Sequence, residues 1–432
     1  MNKITLIAIL LLFLSNCSLS KNPLNWKKEE VKLEDQQNIT KVFTKDNVIQ
    51  KEFNSDLKLD LSNIVLNNKI IDDKNNFGSQ NYEGLLNKVG SYKFSKLNDF
   101  NQLNLKPVFF DNGLIFFDKK GSIIEYNKKH KVSWSKNYYS KTEKKLNPKL
   151  NFLITNKDLL VSDSISKFYS INLNTKELNW SKNLKYPFNS GIKKNKNKIF
   201  AIDYKNTLRC YNISDGSECW NLQTEDSFTI SDSKYSLIII EDMVIFSNSL
   251  GDVTAVDIDT GLITWQLPTQ SSSIVNETYN FKISKLVSDG NSIFFSNNKS
   301  EFYSINVKTG IINWANKINS NIQSVISGNL IFTVSNEGYL FITEKNTGNI
   351  VRVSYLSEEY KEKKKKKVTP IGFAIGNKNL YLTNSDGKMT IVDLELGNIV
   401  ETKVIAKNLI SEPFIFQNNL YIIKNGSIIQ YN

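Results

Sequence analysis

Three observations predict an all-β fold, an eight-bladed β-propeller of four-stranded antiparallel blades. One hairpin recurs along the chain, and GDVTAVDIDTGLITW (251–265) is its plainest copy. The copies return about every 45 residues. Between them lie two further short alternating runs with tight turns, and no capped segment of helical period interrupts. A repeat of that length is one supersecondary unit, and four short strands per unit is the propeller pattern.

The hairpin itself follows from two alternating apolar runs that flank Asp259-Thr260-Gly261, with Trp265 at the far end. Such a run–turn–run reads as antiparallel strands joined by a tight turn. The same layout is found in GSIIEYNKKHKVSW (121–134), KFYSINLNTKELNW (167–180), NTLRCYNISDGSECW (206–220) and EFYSINVKTGIINW (301–314). GYLFITEKNTGNIVR (338–352) and GKMTIVDLELGNIVE (387–401) keep the hairpin but carry Arg352 and Glu401 where the others have Trp134, Trp180, Trp220, Trp265 and Trp314. The separations between these equivalent positions are 46, 40, 45, 49, 38 and 49 residues.

Upstream of each hairpin the unit is completed by two more strands. KISKLVSDGNSIFFSNN reads as a short strand (283–287), a turn at Asp289-Gly290 and a second strand (292–296). NIQSVISGNLIFTVSNE repeats that layout ahead of Gly338. One small sheet cannot cover both of its faces, so each blade must pack on its neighbours until the ring closes. The five tryptophans are therefore expected between blades, as packing residues.

The eighth unit stops at GSIIQYN (426–432), without a fourth strand. An unpaired edge would remain unless an upstream segment supplied the missing strand. SYKFSKL (91–97) alternates suitably and is expected to pair with the C-terminal strand. The predicted propeller spans 91–432, residues 66–90 remain unassigned, and residues 17–65 read as a polar, mostly disordered tether.

The chain opens MNKITLIAILLLFLSNCSLS, with Lys3 ahead of an 11-residue apolar stretch from Ile4 to Leu14. That is too short to span a bilayer and suits a signal-peptide core, residues 1–16. Leu14-Ser15-Asn16-Cys17 resembles a bacterial lipobox, which predicts lipidation of Cys17 and retention by acyl chains. Asn16 departs from the usual small residue before the cysteine. Ser18 at the next position, rather than Asp, implies the outer membrane. Cys210 and Cys219 flank Ser214-Asp215-Gly216 and are expected opposite each other on adjacent strands, where a disulfide can form in an oxidising periplasm.

The formal charge is +12, carried by lysines that read as scattered over loops and solvent-facing strand positions. No basic stripe interleaved with aromatics is present, so nucleic acid is not an expected partner. Lys363–Lys367 reads as a solvated loop, with anionic lipid as a lesser alternative. The one histidine, His130, lies in the loop KKHKV and reads as solvated. With one histidine and few cysteines, neither a zinc site nor a Ser-His-Asp triad finds its residues. No catalytic residue, cofactor or metal ligand is therefore assigned.

The D-x-x-T-G-x-x-x-W hairpins resemble the pyrroloquinoline-quinone-type propeller repeat. Eight of them behind a lipobox resemble the BamB family, propeller lipoproteins of the bacterial outer-membrane β-barrel assembly machinery. Glu412-Pro413 and the terminal strand are similar to that family's ending, and the resemblance covers roughly 91–432. It implies a non-enzymatic scaffold on the periplasmic face of the outer membrane. Such a scaffold would bind the barrel-forming subunit through loops on one face and assist folding of outer-membrane proteins. No loop motif here matches the family's partner-binding residues. Quinoprotein dehydrogenases share the repeat and are the main alternative, but no two cysteines are adjacent, as members of that class would have near their cofactor. A glycan- or peptide-binding propeller is a third reading, since the fold hosts many functions.

Overall fold

The computed structural model describes residues 52–61, 66–67, 75, 78–98, 100, 105–110, 112–225, 234–269, 281–358, 360 and 368–432. Cys17 and Lys363–Lys367 lie outside them. The described strands form eight sheets, the eight blades of a propeller. Blades one to seven span 108–136, 150–183, 193–223, 237–267, 287–316, 325–355 and 370–404, and the eighth is built from 414–431 and 88–93.

The second strand of each blade is the most deeply buried, because it has strands on both sides and blades on both faces. Its members include Phe116, Leu160, Phe200, Ile245, Phe294, Phe332, Leu382 and Ile422, all essentially inaccessible. First strands of successive blades meet around a central channel. Fourth strands face outward, and Leu178, Ile263 and Ile312 on them remain exposed.

In blades one to seven the third and fourth strands carry a β-bulge at the same position. In blade four, Ala255 faces Trp265 and Val256 faces Ile263, so Thr264 is the extra residue. A bulge bends and twists its strand and re-aims a side chain. Here it turns the indole toward the following blade. Trp180, Trp265 and Trp314 donate their Nε1–H to the carbonyls of Ile213, Val307 and Lys345 at 2.8, 2.8 and 3.0 Å. Trp220 does the same to Ile258 at 3.3 Å. Each indole lies flat on the turn glycine of the next hairpin. A Cβ added at Gly216, Gly261, Gly310 or Gly348 would come within 2.6–2.7 Å of an indole atom. These glycines also have positive φ, which only glycine adopts at no cost.

Blade two replaces that glycine with Lys176, at φ 60°. The ammonium of Lys176 lies 4.8 Å from the ring centroid of Trp134 and pairs with Glu125 at 2.7 Å. A cation–π contact and an ion pair thus take over from the flat Trp–Gly contact.

Ring closure runs through the N-terminal segment, as the sequence predicts, but with shifted bounds. The closing strand is Lys88–Lys93, antiparallel to Ser427–Tyr431, and not 91–97. Phe94 still donates its N–H to the carbonyl of Gly426 at 3.1 Å, after which the chain leaves the ladder, and Leu97 donates to the side chain of Asn425. His130 occupies the left-handed turn position of blade one, at φ 62°. Its ring packs on Tyr92 with centroids 4.6 Å apart and reaches Gln430 at 2.8 Å. The expected solvated histidine is therefore a seam residue between the first and last blades.

The segment ahead of the closing strand is also anchored. Phe53 exchanges both backbone hydrogen bonds with Val353, on the outer strand of blade six. Arg352, in a tryptophan position, lies over Gly397 of blade seven. Its guanidinium donates to the carbonyls of Glu395, Leu57 and Ser55 at 2.9, 3.0 and 3.1 Å. Leu59 enters the core shared by blades six and seven. The tether expected through residue 65 is thus revised, since 52–61 are docked. Asn75 then bonds Ile239 and Ser288 on blades four and five, and Ser79 bonds Ser327 and pairs with Ile375 on blades six and seven. Tyr82 and Leu86 pack between blades seven and eight.

Two outcomes are expected. Gly310→Ala lowers stability by about 2–4 kcal/mol, through backbone strain and displacement of Trp265, measured by denaturant unfolding. Arg352→Ala releases the docked segment, so limited proteolysis cuts within 52–61 much faster while the ring persists. Unchanged cleavage would mean that Arg352 does not hold the segment.

Candidate functional site: the central channel and its mouth

Eight inner strands running the same way bring their leading residues to one end of the channel. Pro413 and the apolar side chains of Phe373 and Phe414 line a cavity of about 240 Å³ within it. A larger cavity of about 620 Å³ opens at the end where the inner strands begin. Lys149, Lys234, Lys282, Lys285 and Glu412 line this mouth among apolar walls.

Lys285, ahead of the inner strand of blade five, reaches both carboxylate oxygens of Glu412, ahead of blade eight, at 2.9 and 3.2 Å. Lys106, ahead of blade one, lies 4.0 Å from the same carboxylate. This ion pair braces the ring across its hole. Burial would raise the Glu412 carboxyl, but Lys285 and Lys106 outweigh it and hold it below the usual carboxylate range. Burial pushes Lys285 down to about 8, with Glu412 opposing that shift and Lys106 adding to it. Burial, with Lys149 nearby, pushes Lys234 down to about 8 as well.

The other residues singled out in the sequence fall away from the channel. The tryptophans sit on outer strands, stitched to the next blade as described. Cys210 and Cys219 are on the third and fourth strands of blade three, both as thiols, Cys210 buried and Cys219 exposed. They are not directly opposite, because the bulge sets Trp220 against Cys210 and leaves Cys219 as the extra residue. The two side chains are nevertheless in hydrogen-bonding contact, and burial followed by that contact raises the Cys210 thiol well above its ordinary range. His130 is at the ring seam. Sequence reasoning missed Lys285, Lys234 and the arm clamp Arg352. Arg352 in a tryptophan position was the available signal.

Among the described residues no group of three or more acidic, histidine or cysteine side chains is placed to hold a metal ion. No described helix is long and apolar enough to cross a membrane. The channel's described lining offers a quinone-binding calcium one carboxylate, Glu412, and that one is engaged by two lysines. The donor set does not fit such a cofactor.

The family model described as outer membrane protein assembly factor BamB matches residues 119–354. The chain belongs to the BamB family. Among solved structures, BamB from Moraxella catarrhalis superposes with a TM-score of 0.67 at 14% identity, covering 81% of this chain and 100% of that one. The computationally designed Ika8 protein gives a TM-score of 0.59 at 13% identity, over 79% of this chain and 99% of that one. Quinohemoprotein alcohol dehydrogenase from Comamonas testosteroni gives 0.59 at 8% identity, over 82% of this chain and 78% of that one. At these identities the superpositions speak for the fold. No curated protein sequence matches the chain significantly. The BamB family assignment therefore rests on the repeat-bearing region of the chain.

The lysine shifts have a pH signature. Lys234 titrates near 8 when folded and near about 10.4 when unfolded, so between those values unfolding takes up a proton and stability rises with pH. Above about 10 the trend reverses, because burial holds phenols such as Tyr126 and Tyr169 protonated while unfolded tyrosines ionise. Denaturant titrations of Lys234→Met are expected to show about 1–2 kcal/mol more stability at neutral pH and a shallower rise toward pH 10. A rise identical to the parent's would assign the effect elsewhere.

Proposed function

We propose that this chain is a non-enzymatic scaffold of the outer-membrane β-barrel assembly machinery. In this reading it is held at the periplasmic face of the outer membrane by lipidated Cys17, and loops on one face of the ring bind the periplasmic part of the barrel-forming subunit. The observation that carries the reading is the family match across the repeats, on a chain whose described residues form a complete ring. The sequence supports the anchor through its lipobox-like Leu14–Cys17. Physical reasoning supports the scaffold role as well. A closed ring is rigid, its loops are many, and its described channel gathers lysines around one paired carboxylate without a nucleophile–base pair. Residues 53 and 353 already form a strand-to-edge contact within the chain. The same kind of edge pairing would let an extended client join a blade.

A quinoprotein dehydrogenase is the second reading, favoured by the shared propeller and disfavoured by the donor set around Glu412. In the compartment proposed, Cys210 and Cys219 close as a disulfide, which their contact allows after a small adjustment.

A pull-down of the tagged chain from solubilised outer membranes is the deciding experiment. It is expected to recover the barrel-forming subunit, and Cys17→Ala is expected to move the chain out of the membrane fraction. Quinone absorbance in the pure protein, or recovery with an inner-membrane electron-transfer partner instead, would overturn the scaffold reading. Thiol alkylation of the same fraction before reduction is expected to leave Cys219 unlabelled; labelling would show the pair reduced.

A further inference from the structure

The inner strands of blades one to five begin at Val108, Leu150, Lys193, Leu237 and Val287. A lysine stands at that position or within three residues before it in each case: Lys106, Lys149, Lys193, Lys234 and Lys285. The repeat thus places one lysine per blade at the start of the inner strand over five successive blades; Lys149, Lys234 and Lys285 line the mouth together with Lys282, and Lys106 and Lys193 line the adjoining cavity. Blade eight supplies Glu412, the one carboxylate among the described residues lining the mouth and the adjoining cavity. Its two oxygens are committed to Lys285. Among the described residues no carboxylate pairs with Lys234 or Lys282.

We propose that this lysine arc at the channel mouth binds a small multivalent anion bearing phosphate groups. The residue type selects the class. An ammonium is a compact point charge that suits a tetrahedral oxyanion, whereas planar carboxylates are best matched by the guanidinium fork, and no arginine lines the mouth. The concave, partly apolar wall strengthens the attraction, because field lines from like charges focus in a low-dielectric cleft. Depression of Lys234 by burial means that an anion beside it relieves an existing desolvation penalty. The cavity of about 620 Å³ exceeds a bare phosphate and accepts a larger group behind it. Phe100, Leu105, Phe188 and Ile283 offer that group an apolar surface. Either a soluble phosphorylated compound or a lipid headgroup has this chemistry.

The test is calorimetric titration of the full chain with inorganic pyrophosphate and, separately, with a short-chain soluble phosphatidylglycerol. Saturable one-to-one binding of either is expected. Lys234→Met and Lys282→Met are each expected to weaken it about tenfold, as the loss of one nearby charge in a partly desolvated site implies. Lys182→Met on an exposed outer strand is expected to leave it unchanged. Glu412→Gln is expected to tighten it, and that variant distinguishes a charge effect from misfolding, since damage to the mouth would weaken binding. Tighter pyrophosphate binding assigns a soluble ligand, and tighter phosphatidylglycerol binding assigns a headgroup. Absence of binding to both, or equal weakening by Lys182→Met, would overturn the proposal.

Discussion

The fold depends on one contact repeated around the ring: the indole of one blade lying on the turn glycine of the next, with its N–H on a neighbouring carbonyl. A four-stranded sheet of this size has a core on each face and nothing of its own to cover either. The stitch determines which neighbour covers it and at what rotation. The bulge that precedes each indole is part of the same device, because without the extra residue the side chain would fall on the opposite face of its own blade. Glycine is required on the receiving side twice over, once for the positive φ and once because a methyl group would occupy the space of the ring. This explains why the D-x-x-T-G and W elements travel together in the sequence although each serves a different interface.

Two departures from that contact, at Arg352 and His130, fall where the N-terminal segment meets the ring. Arg352 exchanges an indole for a guanidinium that still covers a glycine, Gly397, but gains donors for three carbonyls, two of them from the docked segment. A guanidinium suits such a cluster because its donors are fixed in a plane and need no partner charge. Burying it is nevertheless unfavourable, and desolvation lowers its ordinary pKa. His130 takes the receiving position of blade one, where the arriving strand is Lys88–Lys93 and brings Tyr92 rather than an indole. Each substitution matches a partner that comes from outside the repeat.

This division sets what the sequence could reveal. Repeats, strand count, blade number and the need for a closing strand are local or periodic, and hydrophobic alternation carries them. The closing strand begins three residues earlier than expected because alternation in 88–97 has no internal marker of register; Gln430 on the partner strand and Asn425 in the turn before it supply the side chains that meet Tyr92 and Leu97. The docked segment was read as tether although Leu57-Lys58-Leu59-Asp60-Leu61 alternates. Five residues cannot outweigh the polar composition around them, and what orders them is Arg352, nearly 300 positions away. The cysteine pair shows the limit at finer scale. Proximity followed from the hairpin, whereas the register followed from a bulge that the Trp repeat implied and that a simple two-strand count omits.

The charge of the chain is the property that the linear reading and the ring treat most differently. Lysines separated by 43, 44, 41 and 51 residues, at 106, 149, 193, 234 and 285, are dilute along the sequence and read as background composition. Those separations are one repeat each, and a closed ring turns equal phase in a repeat into nearness in space. Eight inner strands running parallel bring that phase to one end of one channel. A basic loop residue of no individual note therefore becomes one member of an arc, in a site where water is partly excluded and like charges depress one another's protonation. The brace between Lys285 and Glu412 relieves only part of that repulsion, because one carboxylate serves two ammonium groups. A ring stabilised by apolar stitching at its rim can tolerate such a mouth: the strain is local, and the contacts that close the ring lie on the outer strands and at the seam with the closing strand. Function at the mouth and stability at the rim are in this way carried by different residues of the same repeat.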